Sequence, residues 1–356
     1  MKENWKQWLM LLGRPAFAVE AGRIRFLNEE AMDLGLTRDV PLEALMETAW
    51  EDYETMEDGW MYLPLTLGGA TVWASTQVMD GVRLFLLERT QEERELKALA
   101  LAAQSLRVPL SNVMTVADRL LPRFSRQTDA GTDAQLAELN RGLYQILRAV
   151  SNMSDAGADN APRMERTELG AFLYDLYLRG SQLLEVAGLT LHYDEPSKPV
   201  MAYVDRQLLE RAVYNLMSNS AKYAKRGGQL WLRLETQGGR IRVILRDDGE
   251  GVSEGVRGTL FDRYRRDPGL GDSRWGIGLG MQIVLKAARI HGGTLLMRQI
   301  AEGGTEMVLS LNPGQPEAGV VRTPMLYLDY AGARDHALIE LADVLPGMVY
   351  SVDNIN

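Results

Sequence analysis

The sequence predicts a multidomain α+β chain: a small α/β domain, an antiparallel helical hairpin that forms a dimeric four-helix bundle, and a two-layer α/β sandwich. Three observations predict it. Short apolar runs punctuated by glycine pairs fill residues 14–90. Leucine and alanine then recur in heptads over residues 91–153. From about residue 163 to 313, strand-like and helix-like runs alternate around blocks rich in asparagine, aspartate and glycine. At 356 residues the chain is long enough for two to four domains with real cores.

Composition narrows the function. The chain is 46% hydrophobic and 24% charged, ordinary for a globular protein. No apolar run approaches the roughly 18–20 residues that span a bilayer. Residues 1–8 hold an acid and no long apolar core, so no secretion signal is expected. A formal charge of −9 argues against nucleic acid or an anionic membrane as partner. The absence of cysteine excludes disulfides and thiol chemistry, and a cytoplasmic location is expected. Histidine occurs only at His192, His291 and His336.

Residues 1–90 form the first predicted unit. Residues 16–20 and 23–27 flank Ala21-Gly22, a hairpin signal. Asn28 is placed to cap a helix over residues 29–34. Residues 62–67, 71–78 and 82–87 read as a three-strand meander, broken at Gly68-Gly69 and Asp80-Gly81. This layout, with the phrase Gly22-Arg23-Ile24-Arg25-Phe26-Leu27-Asn28, resembles a PAS sensor domain. A dimerising domain without a ligand fits the same residues.

The second unit is residues 91–155. Leu96, Leu99, Ala103, Leu106, Leu110, Val113, Ala117 and Leu120 alternate as heptad a and d positions. After an expected break from Pro122 to Gly131, Leu136, Leu139, Leu143, Ile146, Val150 and Met153 repeat the pattern. A two-residue seam per heptad suggests pairing with a second copy, and two hairpins make a four-helix bundle. Inside the first helix, Ser105-Leu106-Arg107-Val108-Pro109-Leu110 resembles the signature around the phosphoaccepting histidine of sensor histidine kinases, His-Glu-Leu-Arg-Thr-Pro-Leu. Leu106, Arg107, Pro109 and Leu110 match; Gln104 stands in the histidine place, Ser105 in the acid's and Val108 in the threonine's. A glutamine amide is not nucleophilic and cannot form a phosphoramidate.

The third unit spans residues 163–313. Asp205 is placed to cap a helix whose apolar face is Leu208, Leu209, Ala212, Val213, Leu216 and Met217. On that helix Asn215, Asn219 and Lys222 share one side by their spacing of four and three. An apolar run, residues 241–245, ends in Asp247-Asp248-Gly249-Glu250-Gly251. Gly276, Gly278 and Gly280 then open another apolar helical stretch, where backbone approaches a ligand closely and free N–H groups face phosphate. Together the blocks resemble the ATP-binding domain of sensor histidine kinases, in the superfamily shared with gyrase and the mismatch-repair ATPases.

That resemblance implies ATP and Mg²⁺ as cofactors. It assigns Asn219 to the metal, a hard cation that prefers oxygen. Asn215 and Lys222 would meet metal-bound water or phosphate oxygen, Tyr223 would cover the adenosine, and Asp247 would accept from adenine's exocyclic amine between Gly249 and Gly251. Leu260-Phe261-Asp262-Arg263-Tyr264-Arg265-Arg266 resembles the family's phenylalanine box; Arg266 is the chosen γ-phosphate cation, though any arginine there has the same chemistry. Gly276, Gly278 and Gly280 would cradle the phosphates. His291-Gly292-Gly293 is a family landmark at a helix end, which makes His291 structural. Asparagine at position 215 lacks the basicity to activate water as gyrase's glutamate does.

Residues 314–356 form a strand–helix tail, with a strand expected at 324–329 and a helix at 336–345. The leading functional reading is a signalling homologue of sensor histidine kinases that binds Mg-ATP, homodimerises through the hairpin and lacks its own phosphohistidine. A working kinase acting on a partner, such as a response regulator or another kinase, and a non-enzymatic ATP-binding dimerisation module remain open. Whether the chain is an enzyme therefore stays undecided by sequence.

Overall fold

The computed structural model describes residues 4–56, 59–79, 81–88, 90–125, 129–158, 161–251, 279–301, 303–314, 334–351 and 354. The fold is mixed α+β. Helix α1 (Asn4–Leu11) packs Trp5 and Leu9 behind a hairpin of β1 (Ala16–Glu20) and β2 (Arg23–Leu27). The hairpin turn is Ala21-Gly22, both at positive φ (50° and 71°), the twist a two-residue hairpin requires. Asn28 accepts at Oδ1 from the N–H of Ala31, capping α2 (Glu29–Asp33), and from the N–H of Ala16, tying that helix to β1. A 3-10 turn (Leu42–Leu45) and α3 (Trp50–Glu54) precede the meander of β3 (Trp60–Leu67), β4 (Ala70–Met79) and β5 (Val82–Leu87).

Helices α4 (Thr90–Ser125) and α5 (Ala130–Ala156) pack as an antiparallel hairpin. The break expected from Pro122 to Gly131 is narrower: α4 runs through Pro109 and Pro122 to Ser125, and α5 starts at Ala130. Leu121 is buried beside Pro122, and packing there outweighs one lost backbone rung. Asp129 caps α5 by accepting from Thr132 N. The heptad seam divides in two. Leu96, Ala103 and Leu110, with Ala100, Met114 and Leu121, are buried. Leu106, Val113 and Leu120 stay exposed, as do Leu139 and Ile146 on α5.

The remaining elements are β6 (Met164–Glu168), α6 (Leu169–Val186), β7 (Thr190–Asp194), β8 (Met201–Asp205), α7 (Arg206–Tyr223), β9 (Gln229–Gln237), β10 (Arg240–Asp247), α8 (Gly280–Ile290), β11 (Leu295–Gln299) and β12 (Thr305–Leu311). Past residue 334 come α9 (His336–Glu340) and a 3-10 turn (Gly347–Tyr350). Among these, β6 and β8 pair separately.

All other strands join one ten-stranded sheet, ordered β2-β1-β5-β4-β3-β11-β12-β10-β9-β7 and antiparallel except for β7 with β9. The sheet crosses between the predicted first and third units, since Trp60, Met61 and Tyr62 of β3 pair with Met297, Leu296 and Leu295 of β11. Each edge satisfies the backbone groups the other would leave bare. Strand β10 is buried on both faces. Ile241, Val243 and Leu245 face α6, α7 and α8, while Ile244 shares an apolar core with Leu42, Met46 and Met61 of the N-terminal segment.

On the second face of β10, Arg240 and Arg242 alternate with Ile244 and meet Asp52 of α3. Asp52 is 3% exposed and lies 3.0 Å from both guanidinium groups. It also accepts from Thr294 Oγ1 at 2.9 Å and Ser310 Oγ at 2.5 Å. A buried polar side chain is costly unless it is paired and hydrogen-bonded to this degree. Beside it, Arg289 donates to Tyr62 Oη and pairs with Glu88, closing the junction from the α8 side.

Two tail expectations fare differently. Residues 324–329 lie outside the described residues. The helix expected over 336–345 stops at Glu340 and continues as turns, because Arg141 and Gln145 of α5 take the Ala342 carbonyl and Tyr350 Oη takes that of Leu338.

Candidate functional site

Helix α7 starts where Asp205 Oδ1 accepts from Leu208 N. The turn before it is held from below by His291. Asp205 N–H donates to His291 Nε2 at 2.9 Å, so the ring proton sits on Nδ1, 2.7 Å from the Ala287 carbonyl. Burial holds this imidazole below its ordinary pKa, in keeping with a neutral ring that receives one bond and gives one. His192, on β7, stacks on Trp231 and bonds Gln229.

The far half of α7 carries Asn215, Asn219, Lys222 and Tyr223. Asn215 is 3% exposed and Asn219 half-buried. Asn219 Nδ2 points at Met307 Sδ, 3.6 Å away on β12. Tyr223 ends the helix, and burial pushes its phenol pKa up.

Asp247 ends β10 and is 1% exposed. Its Oδ1 accepts from Gly249 N at 3.0 Å and Thr305 N at 3.1 Å. Burial raises its carboxyl pKa, and those backbone donors pull it part of the way back. Close approach explains the glycine after it: a Cβ on Gly249 would stand 2.4 Å from the Tyr223 carbonyl. Likewise a Cβ on Gly280, the first residue of α8, would stand 2.4 Å from Asn215 Oδ1. Those two contacts bring the end of β10 and the start of α8 onto the same half of α7. Gly251 sits at φ +79° beside Gln299. Arg266, Gly276, Gly278 and the segment 260–266 lie outside the described residues.

Four further residues at this place escaped sequence reasoning. Arg148 of α5 donates to Asn215 Oδ1 at 2.9 Å. Arg211, one turn before Asn215, bonds Asn152 and Asp155 of α5. From the tail, Glu340 and Asp343 enter the same cluster. Acidic side chains inside the apolar run Ala337-Leu338-Ile339-Glu340-Leu341-Ala342-Asp343 were the only available signal.

Residues 204–315 match the family described as Histidine kinase-, DNA gyrase B-, and HSP90-like ATPase. The chain carries a histidine kinase-like ATPase domain. The matched span takes in Asn215, Asp247 and Gly280 together. Hybrid signal transduction histidine kinase D of Dictyostelium discoideum is 28% identical over 64% of this chain and 15% of its own length. Alginate biosynthesis sensor protein KinB of Pseudomonas aeruginosa is 23% identical over 80% of this chain and 47% of its own. The chain spans less than half the length of these relatives. Among solved structures, full-length ShkA in complex with AMPPNP superposes with a TM-score of 0.49 at 20% identity, covering 60% of this chain and 45% of that one. No helix among the described residues is long and apolar enough to cross a membrane.

Proposed function

We propose that this protein is a signalling regulator of the sensor histidine kinase type that binds Mg-ATP, pairs with a second copy and makes no phosphohistidine of its own. The convergence of Asn215, Asn219, Lys222, Asp247 and Gly280 on one half of α7 carries the nucleotide reading. The residues suit the ligand. Asn219 offers a hard oxygen for Mg²⁺, Lys222 a cation for phosphate, and Asp247 an acceptor for adenine's amine. Glycines at 249 and 280 let the backbone come up against α7, where a Cβ would stand 2.4 Å from the Tyr223 carbonyl and from Asn215 Oδ1.

Phosphoryl transfer needs a nucleophile in line with the γ-phosphate. Gln104 is exposed on α4 and offers an amide in the place where the resembling motif has its imidazole. Incubation with γ-labelled ATP is therefore expected to leave no acid-labile, base-stable label on the chain. Gln104→His together with Ser105→Glu should restore a measurable amount. Phosphohistidine mapped on the unaltered protein defeats the reading; label passing to an added response regulator or kinase instead favours a working enzyme.

The second copy is supported by the exposed half of the heptad seam. Leu106 is 48% exposed and Leu139 58%. A ridge of this kind on a lone chain is an aggregation liability, and a second hairpin covers it. Leu106→Glu with Leu139→Glu should give a monomer by light scattering. A wild type already monomeric at micromolar concentration would sink the dimer.

A further inference from the structure

Three cations and three carboxylates converge where α5, α7 and the tail meet. Lys222 Nζ lies 3.0 Å from Asp343 Oδ2, and Arg148 Nη1 lies 2.5 Å from the same oxygen. Arg211 Nε lies 2.7 Å from Glu340 Oε1 and also pairs with Asp155. Glu340 is fully buried and Asp343 is 7% exposed. Asn215 is engaged at both ends of its amide: Oδ1 accepts from Arg148, and Nδ2 donates to Glu340 Oε2 at 2.9 Å and to the Arg211 carbonyl at 2.8 Å.

We propose that residues 334–351 are an acidic plug that competes with the phosphates of the nucleotide, so that the ATP site opens only when this segment leaves its seat. The proposal rests on the nucleotide reading of α7 and β10. It adds that two of the α7 residues assigned to nucleotide, Asn215 and Lys222, are held by the chain's own carboxylates. Withdrawing Glu340 and Asp343 takes both tail carboxylates away from Lys222, Arg148 and Arg211. Cations that lose such carboxylates favour another anion in their place, and a polyphosphate is an anion of that kind.

The segment docks on the helical hairpin and on the ATPase helices at once. The Tyr350 ring packs at a tilt of 58° against Tyr144 of α5 with centroids 5.1 Å apart, and Asn140 donates to the Tyr350 carbonyl. At the other end of the segment, Asp335 pairs with Arg179 of α6 and His336 with Glu210 of α7. The plug therefore clips the helical hairpin to the ATPase domain. Nucleotide entry and release of that clip are then one linked equilibrium, and each must favour the other. Apparent affinity for nucleotide falls by the fraction of chains with the plug out; if one chain in ten is open, the loss is about tenfold.

Two full-length variants and one measurement on the wild type test this. Asp343→Asn removes a charge at Lys222. Tyr350→Ala loosens the anchor on α5 without touching α7. Calorimetry with Mg-ATP is expected to give about tenfold tighter binding in both. In the wild type, saturating Mg-ATP should speed amide exchange across residues 334–351. Equal affinity in all three chains, with the segment still protected under saturating nucleotide, overturns the plug and leaves the nucleotide site standing. No binding by any of the three overturns both.

Discussion

Asp247→Asn is expected to weaken Mg-ATP binding by roughly 30- to 150-fold, equivalent to about 2–3 kcal/mol for a lost bond to a charged acceptor. The direction follows from the backbone around it. Gly249 N and Thr305 N both donate to Oδ1, so in the asparagine variant the amide oxygen must take that place. The NH₂ group then faces the position assigned to adenine's exocyclic amine, setting donor against donor. Asp247→Ala loses the adenine acceptor too and also strands the two N–H groups, so it should lower stability as well as affinity. Titration calorimetry, with circular dichroism to confirm folding, checks both. Unchanged affinity in Asp247→Asn would remove Asp247 from the site.

The other large effect is expected at Asp52, far from the nucleotide residues. Asp52→Ala leaves Arg240 and Arg242 buried without their shared carboxylate. Breaking a buried pair by removing one partner costs about 3–5 kcal/mol. Thr294 and Ser310 lose an acceptor in the same step. Chemical denaturation should show a clear drop in midpoint, and a loss under about 1 kcal/mol would mean that the arginines are resolvated. Because Asp52 sits on the N-terminal segment and its partners on the ATPase sheet, this variant also tests whether the two are one cooperative unit.

Local patterns were legible; distant pairings were not. The Ala21-Gly22 hairpin, the caps at Asn28 and Asp205 and the strands of the meander all follow from residues within a few positions of one another, and each stands in the structure. So does the one-sided display of Asn215, Asn219 and Lys222, which needs only helical spacing. Asp52 and Arg240 are 188 positions apart, and Asn215 and Glu340 are 125. None of the three acids in Trp50-Glu51-Asp52-Tyr53-Glu54 carries a mark of which arginine it will meet. Periodicity also named the heptad seam without dividing it. Which half packs within the hairpin depends on how α4 and α5 rotate against each other, a tertiary choice.

The pairing of β3 with β11 also sets a timetable for biogenesis. Tyr62 leaves the ribosome about 230 residues before its partner Leu295. At 5–20 residues per second, that interval is on the order of 10–50 s. Throughout it the N-terminal meander can fold, yet the outer edge of Trp60–Leu67 has no strand to receive its backbone. An apolar edge left open that long is a template for wrong partners, including the same edge on a neighbouring nascent chain. Slowing translation between these two points, or releasing the chain early, should therefore lower the yield of soluble protein through association at β3.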